Sequence, residues 1–205
     1  MLDRPRMFEI LPEGEIGRAK VDHFEVKTDF RGFRRDYVPP GKYARLCVSG
    51  QLYMTDTQME WNTNWEVIHK AHSEVLIAGL GLGFIILPIL AKPEVTRVTV
   101  VEKYADVIAL VEPTIHEAAG LNGHKLVVVE GDALTWELPK GQTWDVIYFD
   151  IWPDICTDNL VEVSRLRRRF AKRLRRDNPK AWMGAWVEHR LRLRRRRERH
   201  SYYTR

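Results

Sequence analysis

The chain has 205 residues, 44% of them hydrophobic and 30% charged, and carries a formal net charge of +5, which is enough apolar side chain for one substantial core with appendages. No basic-plus-apolar leader is visible, and the longest apolar run, 75–91, is cut by three glycines and a proline; two cysteines, Cys47 and Cys156, lack metal-ligand or redox spacing, so a disulfide-stapled fold is excluded. The expectation is a soluble cytoplasmic protein with reduced thiols and no membrane contact. The charge is uneven: residues 1–160 carry a net −8 and residues 161–200 a net +12, culminating in "RLRLRRRRERH". An acidic body thus bears a basic segment that is either solvated surface or an arm for phosphates.

Residues 1–73 are expected to form an N-terminal region. "ARLCV" and "QLYMT" flank Ser49 and Gly50 as a small β-hairpin, and "DTQMEWNTNWEVIHKAH" is a helix that brings Trp61, Trp65, Ile68 and His72 near one face, with Asp56 or Thr57 as its N-cap. Residues 74–188 then alternate: "VLIAGL" strand, "GFIILPILAK" helix, "VTRVTVVE" strand, "ADVIALVEPTIHEAAG" helix, and "KLVVVEG" and "TWDVIYFD" strands. Apolar β-branched runs between helical segments predict an α/β fold with a mostly parallel sheet covered on both faces. "NLVEVSRLRRRFAKRLRR" predicts a helix ended at Asn178-Pro179, "AWMGAWVE" one more strand, and residues 189–205 a basic tail. No further pair of strands is evident, which suggests a truncated sheet edge covered by the arginine-rich helix or by a second copy in a homodimer.

The stretch "EVLIAGLGLGF" is a strand turning into a helix through Gly79, Gly81 and Gly83, where free backbone N–H groups and close backbone approach suit a nucleotide-like ligand. The dinucleotide fingerprint wants its third glycine where Phe84 stands, which disfavours NAD. Acidic residues close three successive strands: Glu102, Asp132 and Asp150. In an open α/β sheet they converge outside the carboxyl ends, where Glu102 suits two ribose hydroxyls and Asp132 an adenine amine.

The order "VLIAGLGLG", "VTVVEKYADVIALV", "VVEGDAL", "WDVIYFDIWPD" resembles motifs I to IV of the class I S-adenosylmethionine-dependent methyltransferases over residues 74–160. The resemblance implies a Rossmann-like fold with S-adenosylmethionine as cofactor. Gly79, Gly81 and Gly83 would then line its methionine part, Glu102 its ribose, Asp132 and Ala133 its adenine, and Asp150 the reacting sulfonium. The hairpin and helix before the glycine loop are similar to those of spermidine synthase-like proteins, which implies Tyr53 and Asp56 as a cover over the pocket. Two departures weigh against aminopropyl transfer: Asp150 and Asp154 are one residue further apart than in that family, and Leu82 stands where its glycine loop has an acid.

For methyl transfer Asp150 is the first choice of general base and Asp154 the second, with Trp152 and Pro153 forming an apolar wall around a small-molecule or nucleic-acid acceptor. The competing reading makes Trp152 a core anchor and Asp154 a helix cap. His69 and His72 find no third metal ligand at a telling spacing, so no metal is expected. Cys156 reads as a small hydrophobe; Trp182 and Trp186 bracket Gly184 and either face a ligand or, the stronger reading, pack in the core. Three functions stay open: a methyltransferase, a polyamine aminopropyltransferase, and a non-catalytic cofactor-binding domain with a nucleic-acid-binding arm.

Overall fold

The computed structural model describes residues 3–27 and 38–203, residues 199–203 by their backbone alone. A short helix α1 (Met7–Ile10) precedes a four-stranded antiparallel sheet, β1 (Gly14–Ile16), β2 (Ala19–Val26), β3 (Gly41–Val48) and β4 (Gln51–Thr55), ordered β1-β2-β3-β4. The expected hairpin is β3 and β4, turned at Ser49 and Gly50 with φ of 52° and 77°. The two strands before it went unpredicted because their polar and apolar residues alternate only loosely.

Helix α2 (Gln58–Lys70) follows. Its start is tied by Asp56, whose buried carboxylate accepts the backbone N–H groups of Met7 (2.8 Å) and Ala44 (2.9 Å). Thr57 occupies the N-cap position without a side-chain cap. At the other end Lys92 donates to the carbonyls of Ile68, His69 and Ala71, a cation on the negative helix end. The buried face carries Glu60, Trp61, Asn64, Val67 and Ile68, whereas Trp65 is 41% exposed and His72 lies beyond the helix. The face expected from Trp61, Trp65, Ile68 and His72 is therefore not the buried one as a whole: the core stripe runs i, i+4, i+7, i+8 from Glu60 and includes two polar residues, which an apolar pattern passes over.

The second sheet is parallel, with β5 (Ser73–Ala78), β6 (Val95–Glu102), β7 (Leu126–Glu130), β8 (Val146–Phe149) and β9 (Trp182–Ala185) ordered β7-β6-β5-β8-β9. The chain steps outward from β5 through β6 to β7, then returns to the other side of β5, so the switch point lies between β5 and β6 on one hand and β8 on the other. Side chains alternate as period 2 demands: Val75, Ile77, Val146 and Tyr148 join the core under α2, α3 (Ile86–Leu90) and α4 (Ala105–Ala119), while Leu76, Ala78, Ile147 and Phe149 join the one under α5 (Asn159–Phe170). Helix α5 ends eight residues before Asn178, because Trp144 pairs with Leu174 in a parallel bridge that draws the chain into an extended path. The basic segment is helical, α6 (Glu188–Tyr203); the expected tail's residues 204 and 205 lie outside the described residues. Among the described residues no helix is long and apolar enough to cross a membrane.

Candidate active site

A cavity of about 270 Å³ opens at the carboxyl ends of β5, β6 and β8. Its floor is the glycine loop. Gly79 has φ +103°, and a Cβ there would stand 2.1 Å from the Asp150 carbonyl oxygen, so only glycine lets β5 leave the sheet beside β8. Gly81 has φ +53° and faces Met54 of β4, whose sulfur a Cβ would meet at 2.7 Å; the hairpin therefore closes over the loop. The Gly81 N–H is the one in the loop 79–83 without a partner among the described residues, and Gly81 lines the cavity. Gly83 lies outside the cavity lining, packed against Ile115 of α4.

Glu102 is 7% exposed and accepts the N–H groups of Leu80 (2.8 Å) and Tyr104 (2.9 Å), bracing the glycine loop against the loop after β6. Burial raises its pKa, opposed by those N–H groups. Each carboxylate oxygen retains a lone pair for a ligand hydroxyl. Asp132 accepts from the Leu134 N–H (2.9 Å) and pairs with Lys103 (3.0 Å). Burial works against its charge, but those two donors outweigh it and hold the carboxyl below its usual range. Ala133 is buried beside it on the same wall.

Asp150 differs from both. Its Oδ2 is sealed from solvent with no hydrogen-bond partner, and burial lifts its pKa to about 7. Behind it on α2, Glu60 is 6% exposed, and burial, reinforced by the charge of Asp150, lifts it to about 8. Neither carboxyl receives a hydrogen bond or an ion pair from a described residue. Tyr148 stands on the same strand face as Asp150 and donates to Asn64 at 2.7 Å, completing a buried polar line between β8 and α2. Glu60 was missed by sequence reasoning; its signal was an acid at i−4 from Asn64 on the stripe of Val67 and Ile68.

Trp152 is buried on the cavity wall and donates its indole N–H to Glu162 of α5 at 2.7 Å. Tyr53 reaches the cavity from β4, its hydroxyl 3.0 Å from that of Tyr104, and burial, then Tyr104, pushes its pKa up to about 12. Asp154 is exposed and Asp56 is engaged under the N-terminal sheet, so neither lines the cavity. The structure thus brings together Gly79, Gly81, Glu102, Asp132, Ala133, Asp150, Trp152 and Tyr53 and leaves out Gly83, Asp154 and Asp56. Among the described residues no group of three His, Cys, Asp or Glu is arranged to hold a metal.

Neither a protein-family model nor a curated protein matches the sequence. Among solved structures, the CcbJ methyltransferase from Streptomyces caelestis is similar at 21% identity and TM-score 0.43 over 58% of this chain and 45% of that one. The O-methyltransferase TomG from Streptomyces achromogenes, in complex with S-adenosylmethionine, is similar at 15% identity and TM-score 0.39 over 53% and 48%. Spermidine synthase from Thermotoga maritima is similar at 16% identity and TM-score 0.43 over 68% and 47%. The match spans about half the length of each of these proteins. The chain's own topology, a parallel sheet ordered β7-β6-β5-β8-β9 flanked by helices beside a small antiparallel sheet, is that of a Rossmann-like α/β fold.

Proposed function

We propose that the cavity binds S-adenosylmethionine and that the chain transfers its methyl group to a small-molecule or nucleic-acid acceptor, with Asp150 as the group that takes the acceptor's proton. The observation that carries this reading is the ordered row of strand-end acids: Glu102 and Asp132, each held by two donors, over Gly79 and Gly81, then Asp150 with an orphaned oxygen at the next strand end. The residues fit the cofactor. Glu102 offers two lone pairs to ribose hydroxyls, Asp132 and Ala133 an acceptor and an apolar contact to adenine, and the Gly81 N–H a donor to the carboxylate. The cofactor, when bound, supplies an electrophilic methyl group on sulfur. The chain's own part is to hold donor and acceptor in line, exclude water with Trp152 and Tyr53, and receive a proton on Asp150.

Asp154, being exposed, serves this reading as a residue of the loop after β8 that an acceptor would pass. Calorimetric titration with S-adenosylmethionine, its demethylated product and NAD tests the proposal: binding of the first two without NAD supports it, and binding of neither sulfur nucleoside ends it. A second reading, aminopropyl transfer to a polyamine, is favoured by the Glu60 and Asp150 pair, two carboxyls without a cation between them. Tighter binding of decarboxylated S-adenosylmethionine than of the intact cofactor would select it.

A further inference from the structure

Two cavities flank the end of β8: Asp150 lines the first, and Tyr148, two residues earlier, lines a second of about 480 Å³ between α2, β9 and α6. The size is that of ligand pockets, about 300 to 1,000 Å³. Its walls are aromatic. The Trp182 ring stacks on Tyr148 at 6.0 Å and 19°, lying back over β9 where Gly184 leaves room; a Cβ on Gly184 would meet that ring at 2.2 Å. Trp65 lines the same cavity with 41% of its surface exposed, its outward ring stacked only on the exposed His69 and tilted against Trp61. An indole left open beside a cavity is a platform without its partner.

The rim carries Arg167, Arg190 and Arg192 against Glu66 and Glu188. Arg190 lines the cavity from the first turn of α6 and has no partner among the described residues. Arg167 and Arg192 are spent on Glu188, and Arg194 on Glu198, but Arg195 and Arg197 further along α6 are exposed and without partners among the described residues. Beyond the buried Leu191, the described side chains of α6 include one apolar residue, Leu193, too little for the apolar face that would lay the helix on a membrane. Free guanidinium groups spaced along a helix that begins at an aromatic platform match a chain of phosphates bearing unstacked bases.

We propose that this surface binds single-stranded nucleic acid, with a base stacked on Trp65 at the second cavity and the phosphates tracked by Arg190, Arg195 and Arg197. A duplex keeps its bases stacked on one another and offers Trp65 nothing, and an acidic peptide offers charge without rings. The inference deepens the methyltransferase reading, on which it rests only for the claim that the bound strand is the acceptor. Strand binding itself does not require the cofactor.

The test titrates a fluorescein-labelled twelve-nucleotide oligouridylate into the full, cofactor-free chain across a salt series. The expected log affinity falls with log salt at a slope of about −2 for three neutralised phosphates, and Trp65→Ala weakens binding about tenfold at unchanged slope while Trp65→Phe restores most of it. Replacing Arg190, Arg195 and Arg197 together by Ala flattens the slope. Absent binding at low salt, equal binding of the matching duplex or of polyglutamate, or an unaffected Trp65→Ala variant would each overturn the proposal. Oligonucleotide binding that persists while S-adenosylmethionine fails to bind would sink the cofactor reading and leave this one standing.

Discussion

Along one row of strand ends, Glu102 and Asp132 are each held by two donors, whereas Asp150 and its neighbour Glu60 receive none. The same functional group, a carboxyl, meets two different surroundings. On the β6 and β7 side, backbone N–H groups oppose the burial of Glu102 and, with Lys103, hold Asp132 below its usual range, which suits the recognition of hydroxyls and an amine. On the β8 side, burial without compensation leaves a pair of carboxyls that titrate near neutrality, at about 7 and about 8. Burial alone lifts Asp150, and its charge, formed first, pushes Glu60 up further. One side therefore reads as binding and the other as chemistry.

The sharpest way to break the comparison is Asp150→Asn, which keeps the shape and removes the proton acceptor. Turnover should fall about 10² to 10⁴-fold, the usual worth of a general base, while S-adenosylmethionine affinity stays within about twofold of wild type by calorimetry. In the wild type, turnover should rise with pH through about 7 as the Asp150 carboxyl ionises. A variant that retains full activity would move the chemistry away from β8.

Glu60→Gln comes next. The folded-state pKa of Glu60 is raised, so the protonated acid favours the fold fully below about pH 4, and this contribution is lost as pH rises towards about 8. Relative to wild type, the Gln variant should gain about 3 kcal/mol between pH 4 and pH 8, a discounted reading of roughly 1.4 kcal/mol per pKa unit. Paired denaturant melts at those two pH values measure it, and parallel pH dependences would show that Glu60 ionises as it would in water. Turnover should keep its rise through about pH 7, because burial is what lifts Asp150 and Glu60 is still protonated there.

Glu102→Ala probes the satisfied side. Loss of charge-assisted hydrogen bonds should weaken S-adenosylmethionine binding by about 1 to 3 kcal/mol, with no change in the pH dependence of turnover. Unchanged affinity would reduce Glu102 to a brace between the Leu80 and Tyr104 N–H groups.

How far these two sides were legible in the sequence follows the same divide. Strand ends and a glycine turn are local, and the residues that close them, Glu102, Asp132 and Asp150, can be picked out by counting along apolar runs. The five parallel strands were legible for that reason, down to Trp182–Ala185. Glu60 was not, because its role comes from β8 packing on α2 across 90 residues of chain. Gly83 and Asp56 show the opposite error: their residue types suit a site, but tertiary packing assigns the glycine to Ile115 and the acid to the Met7 and Ala44 N–H groups. The premature end of α5 has the same origin, since the bridge from Trp144 to Leu174 competes with a pattern that could have continued as helix.

The smallest expected effect lies where the N-terminal sheet meets the binding side. The Tyr53 hydroxyl on β4 and the Tyr104 hydroxyl after β6 are 3.0 Å apart, their rings edge to face at 5.9 Å. This contact is the polar clasp of the hairpin over the cavity, beside the apolar seat of Met54 on Gly81. Tyr53→Phe keeps the ring and deletes the hydrogen bond, so stability should drop by about 0.5 to 1.5 kcal/mol, the net worth of such a bond. If the hairpin is a cover for a bound cofactor, release should quicken several-fold in stopped-flow measurements with the pH profile unmoved. A shifted profile would mean that the hairpin also reaches the β8 side, and the division between binding and chemistry would have to be redrawn around Tyr53.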